Sequence, residues 1–539
     1  MDCFAKLGRD VRSPPRSTGA LDPAARARQE AFYASGPRYD VLVIGSGMAG
    51  LTAASLLAAA GRRVCVLEAH DAPGGYAHSF RMGDFRFCAQ VHYIWGCGPG
   101  ERIDRFLEKI GEHETIEFTR LDPDGYDHVV LPDGSRVRIP CGLERLAERI
   151  DERFPGQYGP AREFGRILER LRAELGRLPR TIRWWQPLTR GHEFLALLHY
   201  RNRTLGQVFD ECGLGQEARA VLIANSGNFM LPPSRLSILA YTALFGGYDR
   251  GAYYPKRHFG QMVEQLAASI TRRPGCHIYY ETEVTRLATR GRRIESVTTA
   301  DGKDFRAPLI LCNADPPGMA RLIGLEKFPE SQRRALEYEY SGSAVTVYLG
   351  LKGIDLREYG FGRHNTWHLE QWDLDQTWEE ALTQDWSRPW VFMATPSLYS
   401  DEPGIAPAGG QILELATAAS YDYFRGLRDT NRARYEKAKR HVRDRLIDIV
   451  SAHHLPELRS HIALKVTGTP TTNEEFCRAP RGHSYAQALT PANMGLGRLG
   501  SHTPFENLYW CSAASGYPGV NGTIGTGMEL YTELTGDEV

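Results

Sequence analysis

The stretch Gly45-Ser46-Gly47-Met48-Ala49-Gly50 constrains this chain more than any other, because of what stands on either side of it. Four apolar residues, Val41-Leu42-Val43-Ile44, run into the glycines as a buried strand, and Leu51 to Ala60 reads as a helix ended by Gly61. A second apolar strand, Val64-Cys65-Val66-Leu67, ends at Glu68. Strand, glycine turn, helix, strand, acid is the order that a dinucleotide site requires. Gly45 permits the tight turn, and Gly47 lets backbone amides approach a pyrophosphate at the positive helix end. Gly50 lets helix and sheet pack closely, and Glu68 is placed to accept hydrogen bonds from ribose hydroxyls.

At 539 residues the chain exceeds one simple core, so two or three domains are expected. Its 65 basic and 65 acidic residues cancel, which leaves no net field to favour nucleic acid or an acidic partner. The ten cysteines contain no C-x-x-C pair, and Cys65, Cys312 and Cys511 fall in apolar strands. Reduced, packed thiols in a cytoplasmic protein are expected. Cys88 and Cys97 flank a segment near the cofactor and keep a minor redox reading. No apolar run approaches the ~18–20 residues needed to span a bilayer. Residues 1–38 mix Pro, Arg, Ser and acids and read as a mobile arm, not a secretory signal.

Past Glu68 and Ala69, a second pair of glycines, Gly74-Gly75, opens Tyr76-Ala77-His78-Ser79-Phe80 and again frees backbone amides. Such a second loop is common in FAD proteins. Residues 101 to 250 read as mostly helical, broken at Pro155, Pro179 and Pro187. Within them Arg166, Arg170, Arg172, Arg177, Arg180 and Arg183 alternate with apolar and aromatic residues, Trp184-Trp185 among them. That pattern suits helices resting on anionic lipid, but an amphipathic helix packed on its own domain is the preferred reading. A strand-rich block follows from His277 and closes at Leu309-Ile310-Leu311-Cys312, which runs into Asn313.

A second sheet is expected from Ala344–Leu351, Thr366–Glu370, Pro389–Thr395 and Gln411–Thr417, with five tryptophans in or between its strands. These line a tunnel for a long apolar ligand or anchor the core, and the sequence favours neither. Glu414 is expected at a solvent-facing strand position. Tyr421 to Val450 reads as one long helix. The repeat Gly495-Leu496-Gly497-Arg498-Leu499-Gly500 has no strand before it and Pro504 after it, so it reads as a loop. Near the C-terminus, strand Asn507–Cys511 leads through Gly519-Val520 to a helix expected from about Gly525.

Together these motifs resemble the phytoene desaturase, carotenoid isomerase and retinol saturase group of FAD oxidoreductases, from about residue 39 to the C-terminus. The resemblance rests on Val41–Gly50, Glu68, Gly74–Phe80, Val91-His92-Tyr93, Tyr254-Pro255-Lys256, Glu283-Val284, Asn313–Pro316, Pro480-Arg481-Gly482 and Asn507-Leu508-Tyr509. It implies an α/β architecture: a discontinuous Rossmann-like FAD-binding domain (39–115, 251–318 and 471–539) with an inserted α+β substrate domain (116–250 and 319–470). Cofactor contacts are expected from Gly45, Ser46, Gly47, Met48, Ala49, Gly50, Glu68 and Ala69. Gly74, Gly75, Tyr76, His78, Ser79 and Asn313 join them, with an adenine contact at the Val284 backbone and flavin contacts near Gly519 and Val520. Two departures stand out. Ser512-Ala513-Ala514-Ser515 replaces a glycine-rich run and carries no acid for the ribityl chain. Arg257-His258-Phe259 stands where small residues are usual, which implies altered substrate access.

The chemistry implied is hydride exchange between flavin N5 and a carbon of an apolar, polyene or isoprenoid-like substrate, as in a saturase or desaturase. His78, His92, Arg481, His483 and Tyr485 are the candidate acid–base residues by family position. No metal site is expected, and the electron donor or acceptor is left open. The alternatives are a reduced-flavin cis–trans isomerase, an amine oxidase, and a non-enzymatic prenyl-binding escort of the same fold. An escort has no need of the intact Gly45/Gly47/Gly50 turn and Glu68. The expected location is cytoplasmic, with peripheral membrane contact.

Overall fold

The computed structural model describes residues 39–177 and 191–539. The N-terminal arm, and Arg180, Arg183, Trp184 and Trp185 of the basic–aromatic stretch, lie outside the described residues. Val41–Ile44 forms the centre of a five-stranded parallel sheet, in the order His277–Tyr279, Val64–Leu67, Val41–Ile44, Leu309–Cys312, Leu508–Trp510. All four residues of the central strand are buried, as expected for a parallel strand covered on both faces. The helix Met48–Ala59 packs against His258–Thr271 and Gly519–Thr535, which cover it in turn. The C-terminal helix starts at Gly519, six residues earlier than the sequence suggested; Pro518 precedes its first turn and halts any earlier helix.

A seven-stranded mixed sheet forms the second layer, in the order Ile462–Gly468, Ser343–Lys352, Gly410–Ala419, Val391–Ala394, Asn365–His368, Asp127–Val130, Arg136–Ile139. Asp127–Val130 pairs parallel with Asn365–His368. The helical reading of 101–250 therefore fails over 118–139, where three strands run. Arg136–Ile139 alternates exposed Arg136 and Arg138 with buried Val137 and Ile139. The expected helix 421–450 is two, Tyr421–Thr430 and Arg432–His453, divided where the Asn431 side chain accepts from the Arg434 amide and caps the second. Gly495–Gly497 is a short turn of 3₁₀ helix, not a second nucleotide motif.

Glu414 corrects the sequence reading outright: it is 1% exposed. Its strand, Gly410–Ala419, lies between two neighbours and is buried on both faces from Ile412 onward, so alternation offers no solvent side. The nine described cysteines are unpaired. Burial pushes the Cys88 thiol up to about 12 and raises Cys97 well above the usual range, which disfavours the thiolate that redox chemistry needs.

Candidate active site

The glycine turn folds as its residues dictate. Gly45 has φ +91°, in the left-handed region, and its amide donates to the Leu67 carbonyl at 2.8 Å. A Cβ on Gly47 would sit 2.4 Å from Asn313 Oδ1, and one on Gly50 would sit 2.5 Å from the Gly45 carbonyl oxygen. Asn313 is itself fixed, donating through Nδ2 to the Cys511 carbonyl at 2.7 Å. The turn, the end of the Leu309–Cys312 strand and the C-terminal strand thus meet at one point.

Glu68 Oε2 accepts from the Ser46 amide at 2.7 Å and the Ser46 hydroxyl at 2.6 Å, and Oε1 accepts from the His70 amide at 2.8 Å. This holds the carboxylate beside the turn, where it also borders the cavity. The Gly74 amide donates to the Ser46 carbonyl at 2.9 Å, so the two glycine loops touch. The groove bordered by Gly45, Gly47, Glu68, Gly74 and Val284 continues into one cavity of about 2800 Å³. That is several times the 300–1,000 Å³ of an ordinary ligand pocket, room for a dinucleotide and a long second ligand.

Among the expected cofactor residues, Met48, Ala69, Gly75, Tyr76, His78, Asn313, Gly519 and Val520 also border this cavity. Ser46, Ala49, Gly50 and Ser79 do not. Ser46 is fully buried holding Glu68, Ala49 and Gly50 pack within the first helix, and the Ser79 hydroxyl accepts from Arg86 Nε at 2.9 Å. The Ser512–Ser515 loop lines the cavity. Arg257, His258 and Phe259 do not reach it: Arg257 pairs with Glu402, and the other two are buried in the core. They give no sign of the altered substrate access read from the sequence.

The acid–base candidates separate. His92, His78, His483 and Tyr485 line the cavity. Arg481 does not: its guanidinium is half exposed, 2.6 Å from Asp422 and 5.2 Å from the Tyr421 ring centre. The His78 Nδ1 is 2.6 Å from the Gly75 carbonyl, and burial with the neighbouring His70 lowers its pKa to about 4, so it is a neutral donor clamping the second glycine loop. Burial likewise lowers His483 to about 4; its Nδ1 accepts from the Ala486 amide at 3.0 Å, and its ring lies parallel to Tyr340 at 5.0 Å. Tyr76 donates to the His483 carbonyl, tying the two segments together. Burial raises Tyr485, keeping the phenol neutral.

His92 differs. Its Nδ1 lies 2.8 Å from Glu414 Oε2, and the other carboxylate oxygen is buried with no partner among the described residues. With the carboxylate accepting from Nδ1, Nε2 is the ring nitrogen left without a partner of this kind among the described residues. The His92 ring packs 4.7 Å from Phe392, which lies 4.7 Å from Trp367, itself 5.7 Å from Trp390. Trp367 and Trp390 line the cavity, whereas Trp378 and Trp386 are buried in the core and Trp372 packs against it.

Sequence reading missed a second buried acid. Asp127 accepts from the Tyr93 hydroxyl at 2.9 Å, Asn228 Nδ2 donates to that hydroxyl at 2.6 Å, and burial lifts Asp127 to about 7. Tyr93 and Asn228 line the cavity. An acid opening a short strand carries no local signal of this.

A parallel sheet ending in this glycine turn, with an acid at its second strand and a groove of this length, defines an FAD-dependent oxidoreductase. The chain belongs to the flavin-containing amine oxidoreductase family, whose sequence profile matches residues 48–528. It is similar to all-trans-retinol 13,14-reductase of Danio rerio, 24% identical over 504 residues, covering 87% of this chain and 81% of that protein. It is similar too to the chloroplastic prolycopene isomerase of Arabidopsis thaliana, 26% identical over 502 residues, covering 89% and 80%. Among solved structures, putrescine oxidase with the P15I-A394C substitutions superposes with a TM-score of 0.63 at 15% identity, covering 93% of this chain and all of that one.

Proposed function

We propose that this enzyme changes the oxidation state of a C–C bond in an apolar polyene or isoprenoid-like substrate, as a saturase or desaturase. The observation that carries the reading is that the cavity bordered by the glycine turn and Glu68 is also lined by Trp367, Trp390, Phe392 and Ala416. Such a wall offers a long apolar ligand extensive aromatic contact. Relatives named for a retinol reductase and a prolycopene isomerase support the same class of substrate.

FAD supplies two-electron hydride exchange at its N5 when bound. The chain's residues do the rest. The turn at Gly45–Gly50 and Glu68 hold the nucleotide end, the start of the Gly519–Thr535 helix presents its amides to the ring end, and the aromatic wall aligns the substrate and excludes water. Glu414 holds His92 through Nδ1–H, and His92 Nε2 takes up the proton that leaves with the hydride in desaturation or, as Nε2–H, gives one up in saturation. For this task the chain divides into an FAD-binding unit (39–115, 251–318, 471–539) and a substrate unit (116–250, 319–470).

No helix among the described residues is long and apolar enough to cross a membrane. Leu198 and Leu322 border the cavity and are 49% and 44% exposed, and Leu195 nearby is 64% exposed. These exposed leucines fit peripheral contact with a bilayer, from which the substrate enters.

The test is anaerobic: holoenzyme with chemically reduced flavin is mixed with retinoids, carotenoids and unsaturated lipids, and products are weighed by mass spectrometry. A gain of two hydrogens is the expected result. Unchanged mass with shifted chromatographic retention replaces the reading with isomerisation, and in a parallel assay with oxidised flavin, reduction of the flavin by amines and by none of the apolar compounds rejects it.

A further inference from the structure

On the far side of the mixed sheet, away from the cavity, His368 closes the strand Asn365–His368, Glu370 follows two residues on, and His453 closes the helix Arg432–His453. Strand alternation sends His368 to the face opposite Trp367, and none of the three residues borders the cavity. His368 Nε2 lies 2.8 Å from Glu370 Oε1, and His453 Nε2 lies 3.6 Å from the same oxygen. All three ligand atoms fall within 4.8 Å of one another. In a tetrahedral zinc site with bonds of ~2.0–2.2 Å the ligand atoms stand roughly 3.3–3.5 Å apart, so small side-chain adjustments close the set.

The outer contacts matter as much. His454 Nε2 lies 3.1 Å from His368 Nδ1. Arg445 Nη2 is 3.5 Å from Glu370 Oε2, and the same guanidinium donates to the carbonyls of Trp386 and Ser387. Nδ1 of His368 and Oε2 of Glu370 are therefore engaged from outside, which turns Nε2 and Oε1 toward His453. This is the arrangement in which a ligating imidazole is oriented by a partner on its other nitrogen. Without metal, His368 donates from Nε2 to Glu370; an exchange of tautomer between His368 and His454 frees that nitrogen with no net loss of a proton.

We propose that His368, Glu370 and His453 bind a zinc ion, with water completing the fourth position. Two imidazoles and one carboxylate suit a borderline cation and disfavour magnesium or calcium, which take oxygen ligands. The ion ties the end of the strand that carries Trp367 to the end of the long helix. It is independent of the redox function.

Purified holoenzyme, stripped with chelator and dialysed, is titrated calorimetrically with zinc chloride and separately with magnesium chloride. The expected result is one tight equivalent of zinc and none of magnesium. His453→Ala, at a side chain 49% exposed and so no threat to folding, and Glu370→Gln each weaken zinc binding at least ~10-fold, and His454→Ala weakens it ~10–100-fold. FAD content and melting temperature measured without zinc show that the variants are folded. Absence of zinc binding by the parent overturns the proposal, as does zinc binding by folded His453→Ala and Glu370→Gln equal to that of the parent.

Discussion

One methyl group at Gly47 tests the nucleotide site directly. The Cβ of a Gly47→Ala variant meets Asn313 Oδ1 at 2.4 Å, and Asn313 cannot swing away without losing its bond to the Cys511 carbonyl. Overpacking of this kind costs about 1–3 kcal/mol, which at this turn appears as a ~5–150-fold loss of FAD affinity. Flavin absorbance after exhaustive dialysis reads it, and full retention by the variant contradicts the placement of the pyrophosphate at this turn. His92→Phe tests the chemistry. It keeps the ring contact with Phe392, retains FAD and lowers turnover by about 10²–10⁴-fold, the usual worth of a positioned acid–base group. An unaffected kcat would show that His92 is only a wall residue. The glycine turn was legible because its chemistry is local, with strand, turn, helix and acid consecutive in the chain. Glu414 and Asp127 were not legible. Each becomes a buried acid only when a distant strand covers it, and Glu414 meets His92 from 322 positions away.

At the level of elements, the strand Gly410–Ala419 carries both Glu414 and Ala416 on the same face two residues apart, so one strand supports the acid pair and the cavity wall. Ala416→Phe fills the space beside Phe392 and Trp367. The expected outcome is a raised KM for long substrates with FAD content unchanged; equal kinetics for long and short substrates would place the substrate elsewhere. Most strands of this sheet were legible from runs such as Ala344–Leu351. The pair Asp127–Val130 and Arg136–Ile139 was not recognised, although Arg136-Val137-Arg138-Ile139 alternates and Asp133-Gly134 marks a turn. Its neighbours in sequence are helical, and their period prevailed over a four-residue signal. The division of the 421–453 helices at Asn431 was hidden for a similar reason, since the charged pattern runs on through the cap.

For the whole molecule, buried imidazoles set the response to acid. His78, His128, His258, His364 and His483 have pKa values lowered to about 4, 3, 3, 4 and 4, chiefly by burial. Between those values and the ordinary 6.5 the unfolded chain binds more protons than the folded one, so stability falls as pH drops below about 6.5. Asp127, raised to about 7, and Asp315, raised in the same direction by burial, act in the opposite sense over part of the same range and are outnumbered by the imidazoles. Urea unfolding at pH 5 is expected to occur at a clearly lower midpoint than at pH 7; an equal or higher midpoint would mean that these histidines are hydrated. The order of strands in the parallel sheet has a different consequence, one of timing. Val41–Ile44 leaves the ribosome early, yet its neighbour Leu309–Cys312 and the edge strand Leu508–Trp510 are synthesised much later, the last of them close to the C-terminus. Contacts that distant in sequence form slowly and late. The nascent chain must therefore carry one open edge of its apolar central strand until Leu309–Cys312 is made, shielded by chaperones or its own helices, and the edge of Leu309–Cys312 stays open in turn until Leu508–Trp510 follows.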